Sequence, residues 1–206
     1  MHVSSSSAND SFGRRRAGVR LLSCLLLLAA SIAANAQDDA TSGEFTIQSA
    51  YTQMLDGVYH VSAQINYGLT RSAIDALNNG VDLTFELDIE VKRKRRWLPD
   101  KTEHELRQRY ELSFDALTQR YVVRLLNSGE QTSFDTLSAA LRGLGDVDRV
   151  PVIDAALLKA ERDYRIAVRT SLDTKSFRGP LRLLASLFKF GEWRLASSWH
   201  SWALNP

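Results

Sequence analysis

The chain has 206 residues, of which 44% are hydrophobic and 24% are charged, and its 26 basic residues nearly balance 24 acidic ones. It contains one cysteine, which excludes a disulfide framework, so a hydrophobic core must stabilise the fold without cross-links. A chain of this size can form one domain that buries about 70% of its unfolded surface.

The first 36 residues predict a cleavable Sec-type export signal. Four arginines between positions 14 and 20 precede an apolar run at residues 21–30, and Ala34-Asn35-Ala36 is a small-x-small cleavage sequence. The apolar run is shorter than the roughly 20 residues of a membrane-spanning helix, which disfavours the alternative of an uncleaved N-terminal anchor. We therefore expect cleavage after Ala36 and export to the periplasm of a Gram-negative cell.

Removal of this signal changes the charge balance of the chain. It takes away four arginines, one aspartate and the only cysteine, and leaves 22 basic and 23 acidic residues. The basic isoelectric point of the precursor therefore says nothing about partners, and we expect no nucleic-acid binding. Residues 37–43 are polar and predict a flexible leader, whereas residues 44–206 contain no linker or repeat and predict a single domain.

Apolar and polar residues alternate in much of this domain, which predicts strands with one buried face. The clearest alternation starts at Val81, where six apolar residues alternate with six polar ones up to Lys92. Asp56-Gly57 lies between two β-rich runs and predicts a tight hairpin turn. About seven strands are predicted, near residues 45–55, 59–67, 81–97, 103–114, 121–125, 164–172 and 193–204, with a helix as the alternative for the last.

Capping and stop residues predict three short helices between these strands. They span about residues 72–80, with Thr70 or Ser72 as the cap, residues 133–145, with Ser133 as the cap, and residues 180–190, which start at Pro180. Residues 151–159 are predicted to form a loop or another short helix. Consecutive antiparallel strands joined by tight turns favour a mainly β fold, an antiparallel β-sandwich with two or three short helices.

The strands at residues 81–97 and 103–114 predict a long protruding hairpin. A four-residue loop at 98–101 sets Phe85, Leu87 and Ile89 opposite Phe114, Leu112 and Tyr110. It also pairs opposite charges across the strands: Lys94 with Glu105, Arg96 with Glu103, and Glu90 with Arg109. Beyond Arg93 both faces carry charge, so we expect the hairpin to leave the sandwich and project into solvent with Trp97 at its tip.

The densest charge in the chain lies beside this loop and forms a candidate binding surface. It consists of Lys92, Arg93, Lys94, Arg95, Arg96 and Trp97, with Arg107 on the partner strand. After export, the anions that it could meet are phospholipid headgroups, lipopolysaccharide phosphates, acidic glycans or another protein. The pairing rule favours a structural interpretation over a binding one, because the predicted cross-strand pairs would compensate most of these charges.

Aromatic side chains near the C-terminus form a second candidate surface, for a membrane or another partner. They are Phe188, Phe190, Trp193, Trp199 and Trp202. The predicted helix at 180–190 has only a narrow polar stripe. So broad an apolar surface must be buried, either in the core as the cover of an open sheet edge or at a membrane interface.

The sequence contains no motif typical of a catalytic, metal-binding or nucleotide-binding site. His60, His104 and His200 have no second His or Cys at the spacing of a zinc site, so neither a metal nor a cofactor is expected.

Asp56-Gly57 and the charged run around Arg95 do belong, however, to a distinctive order of short motifs. The motifs are Asp56-Gly57-x-Tyr59, Ala76-Leu77-Asn78-Asn79-Gly80-Val81, Arg93 to Trp97, Tyr121-Val122-Val123, Ala139-Ala140-Leu141-x-x-Leu144-Gly145, Val168-Arg169-x-x-Leu172-Asp173, Pro180-Leu181-Arg182 and Trp193-x-Leu195-x-Ser197-x-Trp199.

In this order the motifs resemble family 4390 of the domains of unknown function, which are small exported proteins of proteobacteria. The resemblance covers nearly the whole mature chain and implies export, but it brings no activity and no catalytic residues. Together with the missing catalytic motif, it favours a non-enzymatic module that binds an envelope component, with a protein as the leading candidate. Two alternatives are peripheral membrane association through the C-terminal helix and tryptophans, and a hydrolase whose residues converge only in three dimensions.

Overall fold

A computed structural model of the protein describes residues 43–173 and 195–204, all within the compact unit Thr41–Pro206. The predicted signal, most of the predicted leader and the predicted helix at 180–190 lie outside these ranges. Nine strands and two α-helices are found in the described part of the chain, together with one turn of 3₁₀ helix.

The strands form two antiparallel sheets. The small sheet has the order β1-β2-β7, and its strands are β1 (Phe45–Leu55), β2 (Val58–Tyr67) and β7 (Asp146–Asp154). The large sheet has the order β6-β5-β4-β3-β8-β9, and its strands are β3 (Leu83–Arg93), β4 (Lys101–Asp115), β5 (Arg120–Leu125), β6 (Gln131–Phe134), β8 (Tyr164–Asp173) and β9 (His200–Leu204). The helices are α1 (Arg71–Asn78) and α2 (Leu137–Gly145), and the 3₁₀ turn is Ala155–Leu157. The predicted mainly β, antiparallel sandwich is confirmed.

The turn, the helix cap and the helix end that the sequence predicts in the first half of the domain are present in the structure. Asp56 and Gly57 have φ angles of 50° and 79°, which give the tight turn between β1 and β2 the twist that a two-residue hairpin needs. Thr70 caps α1, because its Oγ1 accepts a hydrogen bond from the backbone N–H of Ala73 at 3.2 Å. Gly80, with φ of 83°, follows the helix and lets the chain turn into β3.

The core lies between the two sheets, where alternate residues of β2, β3 and β8 point inward. An aromatic cluster joins the sheets: Phe45 of β1 and Tyr67 of β2 contact Phe85 of β3 with ring centroids 5.7 and 5.0 Å away. The buried face of β3 is the one that the sequence predicts, Leu83, Phe85, Leu87, Ile89 and Val91, all at most 1% exposed. The alternation in β3 is therefore confirmed as the centre of the core.

The predicted register of the β3–β4 hairpin was wrong by four residues. Glu90 pairs with Glu105 and Phe85 with Tyr110, whereas Arg109 lies opposite Glu86. The strands end at Arg93 and begin again at Lys101, so the loop spans residues 94–100, and the register shifts once more between Val91 and Lys92. Alternation sets which face of each strand is buried, and a shift by an even number of residues leaves that face unchanged.

The hairpin also does not protrude as an arm. β3 pairs with β8 from Thr84 to Arg93, which lies opposite Tyr164. The N–H of Lys94 then donates to the carbonyl of Asp163 at 2.9 Å. β3 is therefore a central strand of the large sheet. The charged residues that follow it lie at the end of that sheet, close to the start of β8.

Two strands replace segments that were predicted otherwise. Ser133 and Phe134, predicted at the start of a helix, belong to β6, and Thr136 caps α2 by accepting from the N–H of Ala139 at 3.2 Å. Residues 151–154, predicted as loop or helix, belong to β7, and only Ala155–Leu157 is helical. β7 carries Pro151 and two register shifts against β2, so it shows no regular alternation from which to predict it.

A buried hydrogen-bond chain lies beneath the aromatic cluster. The Tyr67 hydroxyl lies 3.0 Å from Thr170 Oγ1, which donates to the carbonyl of Glu86, and the N–H of Thr170 donates to Ser197 Oγ. Thr170 is fully buried, and burial raises the pKa of the Tyr67 hydroxyl far above its usual range. Because Thr170 uses its own proton toward Glu86, Tyr67 must donate to Thr170.

We expect Thr170→Val to destabilise the protein more than Tyr67→Phe. Valine leaves the Tyr67 hydroxyl buried without an acceptor, at a cost of about 1–3 kcal/mol, whereas phenylalanine removes the donor itself at a cost of about 1 kcal/mol. In the double variant, Tyr67→Phe should cost nothing or restore stability. Urea unfolding of the four proteins measures this cycle, and additive losses would show that the two groups are not coupled.

Candidate binding site at one end of the sandwich

Three connections meet at one end of the sandwich, here called the loop end. They are the β1–β2 turn, the loop at residues 94–100 and the connection at residues 155–163. The carbonyl of Gly57 accepts from Ala155 N–H at 2.9 Å, and Lys94 N–H donates to Asp163. Trp202 of β9 donates to Thr52 Oγ1 at 2.8 Å, which sets the end of β1 level with the start of β8.

The loop at 94–100 holds a tryptophan in solvent. Arg95 Nε donates to the carbonyl of Pro99 at 2.8 Å, and this bond closes the loop on itself. Trp97, which lies within the closed part between Arg95 and Pro99, is 89% exposed, and Leu98 is 61% exposed. A large apolar side chain held outward by an ordered loop is typical of a contact with a partner.

Some of the charges at the loop end are compensated within the chain. Arg93 Nε lies 2.8 Å from Glu103, Lys101 Nζ lies 3.0 Å from the same carboxylate, and Arg165 reaches Asp100 at 4.0 Å. The hydrogen bond from Lys101, with the nearby charges of Lys101, Arg93 and Arg95, lowers the pKa of the Glu103 carboxyl. These groups therefore form an internal network that offers little charge to a ligand.

Other cations at the loop end lack such partners. Lys94, Arg96 and Arg162 make no ion pair within 4 Å with any residue in the described ranges. They line one open groove with a volume of about 560 Å³, here called the basic groove. Its wall consists of Arg93, Lys94, Arg95, Arg96, Trp97, Leu98, Glu161, Arg162 and Asp163. Five cations and two carboxylates thus line the groove, and one of the five cations, Arg93, is already paired with Glu103.

A second hollow, with a volume of about 370 Å³, lies beside the basic groove. Lys94, Arg162 and Asp163 line both. The second is completed by five further residues of the β7–β8 connection, β8 and β9: Ala160, Tyr164, Arg165, Ala203 and Leu204. Guanidinium groups bind carboxylates and phosphates through two parallel hydrogen bonds, and an adjacent indole adds apolar contact area. The arrangement can therefore hold an anionic, partly apolar segment.

The structure divides the basic surface that the sequence predicts. Arg93, Lys94, Arg95, Arg96 and Trp97 line the basic groove, as described above. Lys92 and Arg107 instead lie on the outer face of the large sheet, where Lys92 pairs with Glu90 at 2.6 Å and Arg107 pairs with Asp88 and Glu105. The hydrogen bond to Asp88 is the main cause that raises the pKa of Arg107. These two residues are parts of the sheet surface and do not reach the groove.

Two of the five aromatic residues of the predicted C-terminal surface, Trp199 and Trp202, lie in the described part of the chain. Trp202 is half-buried and bonded to Thr52, so it is a packing residue. Trp199 is 40% exposed, and the Lys92 Nζ and Arg169 guanidinium carbon lie 4.8 and 5.9 Å from its ring centroid. Phe188, Phe190 and Trp193 lie outside the described residues.

Sequence reasoning missed the part of the groove that the connection between β7 and β8 supplies. Arg162 adds a cation there, and Glu161 and Asp163 add the two carboxylates. A mixed run of charges in a loop carries no signal of its own. The pairing of β8 with β3 is what brings it beside the loop at 94–100.

The described residues contain neither a cluster of metal ligands nor a helix that could span a membrane. Within residues 43–173 and 195–204, no group of three or more His, Cys, Asp or Glu side chains is placed to hold a metal ion. No helix in these ranges combines the length and the apolar character needed to cross a bilayer. His60 lies within hydrogen-bonding distance of the carbonyl of Val58, at 3.0 Å.

Comparison with known proteins gives one match. Residues 42–203 match the model of a protein family described as a domain of unknown function, DUF4390. No curated protein and no solved structure matches the chain.

Proposed function

Because this chain belongs to the DUF4390 family, whose function is unknown, we propose its role from the geometry of the loop end. It is an exported, non-enzymatic binding module that holds an acidic segment of another envelope protein in the basic groove. The observation that carries the proposal is the position of Trp97, 89% exposed, beside cations that lack an ion-pair partner among the described residues.

The composition of the groove is that of a protein-binding hot spot. Trp and Arg are the residue types most enriched where binding energy concentrates. Arg96 and Arg162 are free to pair with carboxylates, and Trp97 and Leu98 offer apolar area next to them. Because the loop is already closed by the Arg95–Pro99 bond, little conformational entropy is lost when a partner binds.

The distribution of charge favours a protein segment over a membrane surface. Each basic residue near an anionic bilayer contributes about 1 kcal/mol, but acidic residues at the same level are repelled. Asp56, Asp100 and Glu161 all lie at the loop end, so a flat anionic surface would meet carboxylates as well as cations. A narrow acidic segment that enters the groove avoids Asp56 and Asp100, which lie outside it, and meets more cations than carboxylates in its wall.

We expect Arg96→Glu to reduce capture of the partner about tenfold, since it replaces an attraction by a repulsion worth about 1.4 kcal/mol or more. A photo-crosslinking residue in place of Leu98, in the full chain expressed in the cell, would report the adduct. Arg71→Glu is the matched control, because Arg71 is exposed on α1 and does not line the groove. Trp97→Ala should lower capture to a similar extent.

Two results would contradict the proposal. One is equal adduct yield in the Arg96→Glu and unsubstituted proteins. The other is a purified protein that sediments with anionic vesicles through Arg96 and Trp97 while no protein adduct depends on them. In the expected case, added salt weakens the protein complex, because the cations of the groove are exposed to solvent.

A further inference from the structure

The first strand forms an open edge of the small sheet. Among the described residues, β1 pairs with β2 alone, and over Phe45–Leu55 it has no charged residue and no proline. Tyr51, Met54 and Leu55 are 50%, 53% and 38% exposed. Long, uncharged edges of this kind are rare in natural sheets, because their unpaired N–H and C=O groups recruit further strands.

The other edges of the described sheets are protected. β6 and β9 are four and five residues long, too short to recruit a stable partner strand. β7 carries Pro151, and Asp148 and Arg149 add charges along it, while two register shifts interrupt its pairing. Each of these features is a known way of blocking edge-to-edge association.

The part of β4 that extends beyond β5 is also protected from pairing with another strand. β5 pairs only with residues 110–115, but the side chain of Asn127 continues the ladder. Its Oδ1 accepts from Arg109 N–H at 2.8 Å, and its Nδ2 donates to the carbonyl of Arg107 at 3.1 Å. Farther along, Glu103 and Glu105 put charge on the strand. In contrast to β4, the free edge of β1 is closed by no side chain of the described residues.

We infer that the open edge of β1 pairs with β1 of a second copy of this chain, antiparallel, so that the two small sheets join into one of six strands. A register shift between Ile47 and Ser49 interrupts the first part of β1. Residues 50–55 remain as a regular segment, and about six residues is the usual length of a strand. Because this segment is uncharged, an identical strand opposite it meets no like charge, and a two-fold interface of this kind closes on itself.

Sedimentation equilibrium of the mature chain tests this interface. The unsubstituted protein should dimerise, and Tyr51→Lys should raise the dimer dissociation constant at least about tenfold, because it puts like charges near the two-fold axis. Asn66→Lys is the matched control: Asn66 is exposed on β2, the central strand of the same sheet, and should leave the constant unchanged.

A second charged variant guards against misfolding. Gln53 is also exposed on β1, so Gln53→Lys should weaken the dimer as Tyr51→Lys does. A variant is compared only if its circular dichroism and melting temperature equal those of the unsubstituted protein. The inference is overturned if the unsubstituted protein is a monomer at millimolar concentration, or if the folded variants dimerise as tightly as it does. An equal loss in Asn66→Lys would also overturn it. None of these substitutions touches the basic groove.

Discussion

Phe85→Ala should cost about 3–5 kcal/mol of unfolding free energy, the largest effect expected of any single substitution considered. Phe85 is fully buried near the start of β3, and its ring contacts Phe45 and Tyr67 of the opposite sheet. Alanine would leave a cavity where the two sheets meet, and the backbones on both sides are held by their own ladders, so little of the cavity can close. Chemical unfolding followed by circular dichroism gives the value.

The control for this substitution is Leu117→Ala. Leu117 is 97% exposed in the turn after β4, so its loss should change stability by no more than about 0.5 kcal/mol. Phe85→Leu should fall between the two, because it keeps most of the apolar volume. A loss below about 1 kcal/mol for Phe85→Ala would mean that the aromatic cluster does not join the sheets as described.

Gly145→Ala should destabilise the protein by about 3 kcal/mol, although alanine is normally the better helix residue. Gly145 is the last residue of α2 and lies against the backbone of β2. A Cβ there would overlap the carbonyl oxygen of Ile65 and lie 3.1 Å from its carbonyl carbon. Because both sides of this contact are main chain, the helix or the strand must shift. We expect the melting temperature to fall by about 6–12 °C.

Gly143→Ala is the matched control within the same helix. A Cβ at Gly143 would meet the ring of Phe134, 2.5 Å from its Cζ, but that ring is half-buried and can move. The gain in helix propensity, about 1 kcal/mol, offsets part of the cost. If Gly143→Ala proved more harmful than Gly145→Ala, the close approach of α2 to β2 would be wrong.

Local sequence signals by themselves determined much of this fold. Alternation over Val81–Lys92 predicted which side of β3 is buried, and Asp56-Gly57 predicted the turn between β1 and β2. A cap for α1 was predicted at Thr70 or Ser72, and Thr70 is the residue that forms it. Each of these features depends on residues that are neighbours in the chain. The backbone conformation of a turn, the capping of a helix and the two faces of a strand are decided by such neighbours, so they can be predicted without knowing the rest of the molecule.

The pairing of the strands was decided only by the tertiary structure. The β3–β4 hairpin could slide by four residues without exposing its apolar face, so the correct register needed the loop length and the position of β8. β7 was missed because Pro151 and its register shifts interrupt alternation, and it is a strand because β2 provides a ladder for it. In both cases the deciding contacts join residues far apart in the chain.

The candidate site shows the same division between local and distant contacts. The sequence alone marked Arg93, Lys94, Arg95, Arg96 and Trp97 as a basic surface with an aromatic residue, and these side chains do line one groove. It could not show that Arg162 completes that groove, or that Lys92 and Arg107 face elsewhere. A run of basic residues shows which charged side chains are available, but the pairing of β3 with β8 decides which of these side chains converge. The pairing of β3 with β4 brings Glu103 close enough to neutralise Arg93, since an ion pair forms between neighbours in space.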